Sequence, residues 1–171
     1  LSRWTQQGLW PAGCHIAVNQ AASDLENADW LPYVSAQLQA VDIAPGLLQI
    51  ELTESDLLQP SPDMRQRLNG LRALGMGLAI DDFGTGYSSL SYLKSLPISV
   101  IKIDRSFVHD MLTDANDRTL VEAMVSLAHK LGHTVVAEGV ETRQQADLLS
   151  ELGCGAGQGY LVSPPVALAE F

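Results

Sequence analysis

The chain has 171 residues, 46% of them hydrophobic, and its 20 acidic against 10 basic residues give a net charge of −10. That length supports one domain over residues 1–171 with a sizeable core, and does not by itself argue for two. The charge excludes general nucleic-acid binding, because a phosphate polyanion requires a basic face; an anionic substrate would need metal ions as mediators.

The opening, Leu1-Ser-Arg-Trp4, carries neither an initiator methionine nor a signal-peptide pattern and reads as the middle of a longer protein. The first expected strand is His15–Val18, followed by Asn19. A somewhat irregular helix is expected over Leu31–Val41, then a strand over Leu47–Leu52 that carries Glu51 near its end. Ser61-Pro62 is a helix start, serine as cap and proline at the first helical position; Met64, Leu68, Leu71 and Leu74 form an apolar stripe that stops at Gly75. The strand Gly77–Ile80 runs into Asp81-Asp82 and the glycine-rich turn Gly84-Thr-Gly86, with a short helix over Ser88–Ser95. Ser99–Ile103 is a strand bearing Lys102 and leading to Asp104. Leu120, Met124, Leu127 and Leu131 mark a helix before Gly132, and Thr134–Ala137 is a strand ending at Glu138. Thr142 with Gln145 makes a capping box ahead of Leu148, Leu149 and Leu152, closed by Gly153; a weaker strand follows over Gly157–Val162, with Gln158 at its start.

Short Val/Ile-rich strands alternating with helices describe a parallel sheet with helices packed outside it. An open doubly wound sheet would concentrate its chemistry at one switch point. Here almost every strand ends in a polar group, which is the distribution of a (β/α)8 barrel whose strands converge on one mouth. Only six strands can be counted, and the length falls short of the roughly 250 residues typical of such barrels. The first one or two strands are therefore expected to lie upstream of this chain.

Asn19, Glu51, Asp81, Asp82 and Glu138 offer hard oxygen ligands, which suit magnesium, manganese or calcium better than zinc or copper. An isolated acid at a strand end is more often a helix cap or a solvated loop residue, but a run of them on successive strands is not explained by capping. Two adjacent aspartates with convergent acids can hold two ions about 3.5–4 Å apart, the arrangement that serves phosphodiester cleavage. Lys102 could orient a nucleophilic water or neutralise charge on phosphorus. The Asp82-Phe-Gly triplet has a kinase counterpart, but the kinase His-Arg-Asp pattern is absent. The four histidines have no shared spacing and read as structural or exposed, and the three tryptophans, with no interleaved basic residues, read as packing. Cys14 and Cys154 make neither a disulfide framework nor a zinc motif, which fits a reducing cytoplasm. No apolar run reaches the roughly 18 residues of a membrane span, although a longer protein could be anchored through other segments.

As an ordered set, Val18-Asn19, Glu51-Leu-Thr-Glu54, Asp81-Asp-Phe-Gly-Thr-Gly-Tyr-Ser-Ser-Leu90, Lys102-Ile-Asp104, Ala137-Glu-Gly-Val-Glu141 and Gln158-Gly-Tyr160 resemble the motifs of the EAL domain family, phosphodiesterases of the bacterial messenger cyclic di-GMP. The resemblance implies a TIM-like (β/α)8 barrel and hydrolysis of cyclic di-GMP to linear pGpG with two Mg²⁺ or Mn²⁺ ions, Ca²⁺ inhibiting. It implies that Asn19, Glu51 and Asp81 serve one ion, and Asp81, Asp82 and Glu138 the second. Lys102 and Glu138 would be catalytic, and Asp104, Glu141 and Gln158 would support the site or the substrate. Glu54 would anchor the loop after Asp82, and that loop and its helix would mediate a homodimer. Sensory or diguanylate cyclase domains are compatible with an upstream position. The Glu-Ala-Leu segment that names the family does not occur in this chain and is expected before Leu1. A receptor that binds cyclic di-GMP without turnover, or a regulatory dimerisation module, is the alternative that this departure leaves open.

Overall fold

The protein is described here by a computed structural model that covers residues 14–57, 60–86 and 90–166. Trp4, Trp10 and the segment Tyr87-Ser-Ser89 of the expected dimerisation loop lie outside the described residues. Six strands occur among the described residues, β1 (Ile16–Asn19), β2 (Leu48–Thr53), β3 (Gly77–Phe83), β4 (Val100–Ile103), β5 (Thr134–Ala137) and β6 (Ala156–Gly157). They follow chain order in the sheet, and the pairs β1–β2, β4–β5 and β5–β6 are parallel. A sheet wound in one direction has no switch point, so the barrel-type reading of the sequence holds over the doubly wound one. No described helix is long and apolar enough to cross a membrane. The chain divides into two compact units, Leu1–Ile80 with Ser88–Ile98, and Asp81–Tyr87 with Ser99–Phe171.

In the first unit, helices α1 (Ala22–Leu25), α2 (Trp30–Ala40) and α3 (Pro62–Leu74) accompany β1, β2 and the start of β3, together with the short α4 (Leu90–Ser95). The start of α3 forms as its sequence dictates: Ser61 Oγ accepts from Met64 N at 3.1 Å, and Pro62 occupies a position that needs no N–H. Met64, Leu68 and Leu71 are buried together with Leu25, Leu38, Ile50 and Leu52. Gly75 ends the helix at φ 95°, a left-handed backbone that only glycine takes without penalty.

In the second unit, α5 (Arg105–Asp110), α6 (Ala115–Lys130) and α7 (Arg143–Glu151) alternate with β4, β5 and β6. The α7 capping box is present in both directions, Gln145 N to Thr142 Oγ1 at 3.2 Å and Thr142 N to Gln145 Oε1 at 2.9 Å. Two expectations are corrected here. The buried stripe of α6 is Val121, Val125 and Ala128, one residue on from the expected Leu120-based stripe, and Leu120 itself is exposed. The valines and the alanine offer the smaller, stiffer surface to the strands beneath, while Met124 and Leu127 flank them, half-buried. The expected strand over Gly157–Val162 shrinks to Ala156–Gly157. Beyond it the chain wraps around Val140 instead of running along β5: Gln158 O accepts from Val140 N at 3.0 Å, and Leu161 N returns to Val140 O at 3.0 Å. Gly159, at φ 156°, lies so close to the Val140 backbone that a Cβ would collide with it.

Candidate metal centre

The second unit sets its polar groups at strand ends through one repeated device. The residue that follows each strand donates its N–H to the end of the neighbouring strand: Asp104 to Phe83 O at 3.4 Å, Glu138 to Ile103 O at 3.1 Å, and Gln158 to Ala137 O at 2.9 Å. Each of these side chains therefore starts from a fixed point at the carboxyl end of the sheet, the end where barrel enzymes carry their chemistry.

Strand β3 does not stop before its acids, as the sequence suggested, but continues through Asp81 and Asp82 to Phe83. In regular strand, adjacent side chains point to opposite faces, so two consecutive aspartates would diverge. Asp82 departs from that geometry with φ 53°, in the left-handed region that non-glycine residues rarely adopt. Its carbonyl accepts from Thr85 Oγ1 at 2.9 Å and Thr85 N at 3.3 Å, which holds the kink. As a result Asp81, Asp82 and Glu138 each place a carboxylate oxygen within 4.8 Å of the others. The strained backbone at a cluster of acids is the pattern expected where geometry serves chemistry.

Lys102, only 4% exposed, reaches up from β4 into this cluster. Its Nζ donates to Asp81 Oδ1 at 2.9 Å and to Glu138 Oε1 at 2.7 Å. Gln158 Nε2 donates to the same Glu138 oxygen at 3.0 Å, a second donor that holds that carboxylate. Asp82 is exposed at its surface, yet partial desolvation raises its carboxyl above the ordinary range, the negative charges of Asp81 and Asp104 push it further up, and Lys102 only partly opposes them. Burial also pushes Asp104 up, but hydrogen bonds from the Ser106 hydroxyl and backbone prevail and hold it below the ordinary range. Asp104 thus caps α5 and carries its charge beside Asp82. Three crowded carboxylates, one of them reluctant to ionise, with hard oxygen donors only, fit a divalent cation.

In the first unit, Asn19 and Glu51 are direct register partners on β1 and β2. Gln49 Nε2 donates to Glu51 Oε1 at 3.2 Å, and Gln20 N to Glu51 O at 2.9 Å, so this buried glutamate is held by both its side chain and its backbone. Glu54, 2% exposed, sits in the turn after β2.

A cavity of about 750 Å³ in the second unit is lined by Asp82, Asp104, Glu138, Glu141 and Gln158, all named from the sequence. Its lining also includes Arg105, which the sequence reading passed over although it directly follows the Lys102-Ile-Asp104 motif. Gly139, at φ 66°, is a second omission: a Cβ there would stand 2.6 Å from Arg105 Cβ.

An EAL domain model matches residues 1–165. A cyclic di-GMP phosphodiesterase of Pseudomonas aeruginosa is 39% identical over 97% of this chain and 28% of its own length. Among solved structures, a PaMucR phosphodiesterase in complex with c-di-GMP superposes with a TM-score of 0.92 at 40% identity, over 99% of this chain and 68% of that one. Klebsiella pneumoniae BlrP1, solved as calcium and manganese complexes with cy-diGMP, gives TM-scores of 0.82 and 0.83 at 34% identity, over 94% of this chain and 40% and 41% of those. The chain spans between a fifth and a third of the length of the curated relatives it matches.

Proposed function

The chain belongs to the EAL domain family, and on that premise we propose that it hydrolyses cyclic di-GMP to linear pGpG with two divalent ions, Mg²⁺ or Mn²⁺. The observation that carries the proposal is Lys102 bridging Asp81 and Glu138 beside Asp82, since a buried lysine among carboxylates is of little use to a core and of direct use to a hydrolytic centre. Asp81, Asp82 and Glu138 are the proposed ligands on the second unit. Asn19 and Glu51 are proposed as ligands on the strength of motif order, not of geometry.

When bound, such ions supply Lewis acidity that activates water and stabilises the leaving oxygen. The chain's own residues supply the rest. Lys102 holds Asp81 and Glu138 in place and presents a cation for orienting the attacking water. Glu138, held by Lys102 and Gln158, is the proposed acceptor of a proton from that water. The acidic surface is compatible with a bacterial signalling role in which the substrate arrives as a small metal-bound dianion. A homodimer through the loop and helix after Asp82 belongs to the same proposal, as do sensory or cyclase partners in a longer polypeptide.

In the purified natural protein carrying this chain, Mg²⁺ should support conversion of cyclic di-GMP to pGpG, followed by chromatography. Asp81→Ala should lower the rate by about 100-fold or more, because losing even a residue behind a ligand typically costs 10–100-fold. Ca²⁺ in place of Mg²⁺ should slow turnover, its larger and looser coordination suiting in-line displacement poorly. Tight binding of cyclic di-GMP with no pGpG under Mg²⁺ or Mn²⁺ would replace the enzyme with a receptor.

A further inference from the structure

The four methionines of the chain differ in their surroundings. Met64, Met76 and Met111 belong to the core, 3%, 0% and 1% exposed. Met124, on α6, is half-buried, and Leu120, one helical turn before it on the same face, is exposed, so solvent reaches this side of the helix. A thioether within reach of solvent is open to oxidation in a way that the three core methionines are not.

Met124 also stands where a change in its chemistry has a consequence. A Cβ at Gly84 would overlap the Met124 methyl and stand 2.7 Å from Phe107 Cε2, so the methyl from α6 and the ring from α5 close together on the bare Cα of the glycine. Gly84, at φ 105°, begins the turn that leaves β3. On one side of it Phe83 O accepts from Asp104 N, and on the other Thr85 binds the Asp82 carbonyl through Oγ1 and N. The left-handed kink that brings Asp82 to Asp81 and Glu138 is thus backed by Met124 and Phe107 packed on the glycine. Leucine would satisfy such packing about as well as methionine. A sulfoxide would not, because burying its polar oxygen in an apolar contact costs free energy that hydration would recover.

We propose that Met124 is a redox-sensitive modification site, at which a peroxide weakens cation binding by the neighbouring acids. A sulfur lone pair attacks one oxygen of hydrogen peroxide, the O–O bond breaks as the S–O bond forms, and water leaves; the thioether loses two electrons and the peroxide gains them. The new oxygen turns toward water, the side chain leaves Gly84, and the turn that holds Asp82 loosens. The inference rests on reading Asp81, Asp82 and Glu138 as a metal centre, whatever that centre cleaves.

The test treats the purified natural protein with hydrogen peroxide in EDTA, maps the oxidised residues by peptide mass spectrometry, and, after removal of both reagents, takes the Mg²⁺ dissociation constant from the rise of melting temperature with metal concentration. Met124 should gain one oxygen well before Met64, Met76 and Met111, and the Mg²⁺ constant should rise about tenfold or more, the usual cost of losing support behind a ligand. Methionine sulfoxide reductase should reverse both changes. Met124→Leu should bind Mg²⁺ as wild type does and lose the response to peroxide, which separates Met124 from the free thiols Cys14 and Cys154. Met124→Gln, polar and unbranched, should bind Mg²⁺ weakly without any peroxide. Oxidation of Met124 that leaves the Mg²⁺ constant unchanged overturns the proposal, as does oxidation no faster than that of the core methionines, or a Met124→Leu protein as sensitive as wild type. If Mg²⁺ stabilises the untreated protein and peroxide leaves that gain intact, this inference alone falls; if Mg²⁺ stabilises neither form, the metal reading falls with it.

Discussion

A lysine that is 4% exposed is expensive to bury unless its charge is matched, and Lys102 is matched twice, by Asp81 and Glu138. The matching works in both directions. Without Lys102, the Asp81 and Glu138 carboxylates, which lie close to each other and to Asp82, would lose the cation they share. Lys102→Met should therefore destabilise the protein in EDTA by about 3–5 kcal/mol, the usual cost of removing one member of a buried pair. Added Mg²⁺ should return part of that loss, since a divalent cation can take over the neutralisation. Urea denaturation with and without Mg²⁺ measures both numbers. A variant as stable as wild type in EDTA would mean that Lys102 does not balance the acids. On the proposed mechanism, turnover should be lost even where stability is restored, because a cation on the carboxylates cannot replace the Nζ donor proposed to orient the attacking water.

At the scale of elements, the same unit depends on how its helices begin. Gln145 is 3% exposed and does three things at once: its Oε1 accepts from Thr142 N and from Glu141 N, both at 2.9 Å, and its Nε2 donates to Val108 O at 3.1 Å. Thr142→Ala should cost about 1 kcal/mol, an ordinary cap loss. Gln145→Ala should cost more, about 2–3 kcal/mol, because it leaves the Val108 carbonyl buried and unpaired. The double variant should fall short of the sum, since the two side chains form one reciprocal unit; additivity in thermal or urea unfolding would show that they act separately. This box was legible as Thr-x-x-Gln, and so were Ser61-Pro62, Gly75 and the alternation of strands and helices, because caps and periodicity are local chemistry. What escaped was set by distant partners. Nothing near Leu120 says that Val121, Val125 and Ala128 form the packed face, and nothing in Gly157–Val162 says that the chain will bind around Val140. The acids were legible as types at strand ends. The kink that turns Asp82 toward Asp81 was not, because a φ of 53° on an aspartate is imposed by the Thr85 contacts and the surrounding fold, not by residue preference. Arg105 was missed because its meaning lies in a cavity wall.

Across the whole molecule, a net charge of −10 makes the folded chain work against its own repulsion, most sharply where Asp81, Asp82, Asp104 and Glu138 gather. Asp82 registers this, its carboxyl raised by partial desolvation and by the charges of Asp81 and Asp104, an effect that solvent screening at this exposed residue keeps small. A carboxyl with a folded pKa above its unfolded one contributes stability below the unfolded value and loses it as pH rises through the folded value, so at neutral pH ionised Asp82 costs the fold free energy. Asp82→Asn keeps the shape and the tolerance for left-handed backbone while deleting the charge. In EDTA at pH 7 it should melt at a higher temperature than wild type, although it removes a proposed metal ligand. Mg²⁺ should reverse the order. Wild type gains stability as the ion binds the native state alone, by an amount that grows with the logarithm of metal concentration, and the variant gains little. Sodium chloride at matched ionic strength should lift both proteins about equally, since screening acts on the diffuse charge and not on a coordination site. Crossing melting curves in EDTA and Mg²⁺ would identify the acids as a centre built for a cation at the expense of the metal-free fold. Parallel curves, with Asp82→Asn responding to Mg²⁺ as wild type does, would remove Asp82 from the ligand set and leave its raised carboxyl as a consequence of crowding alone.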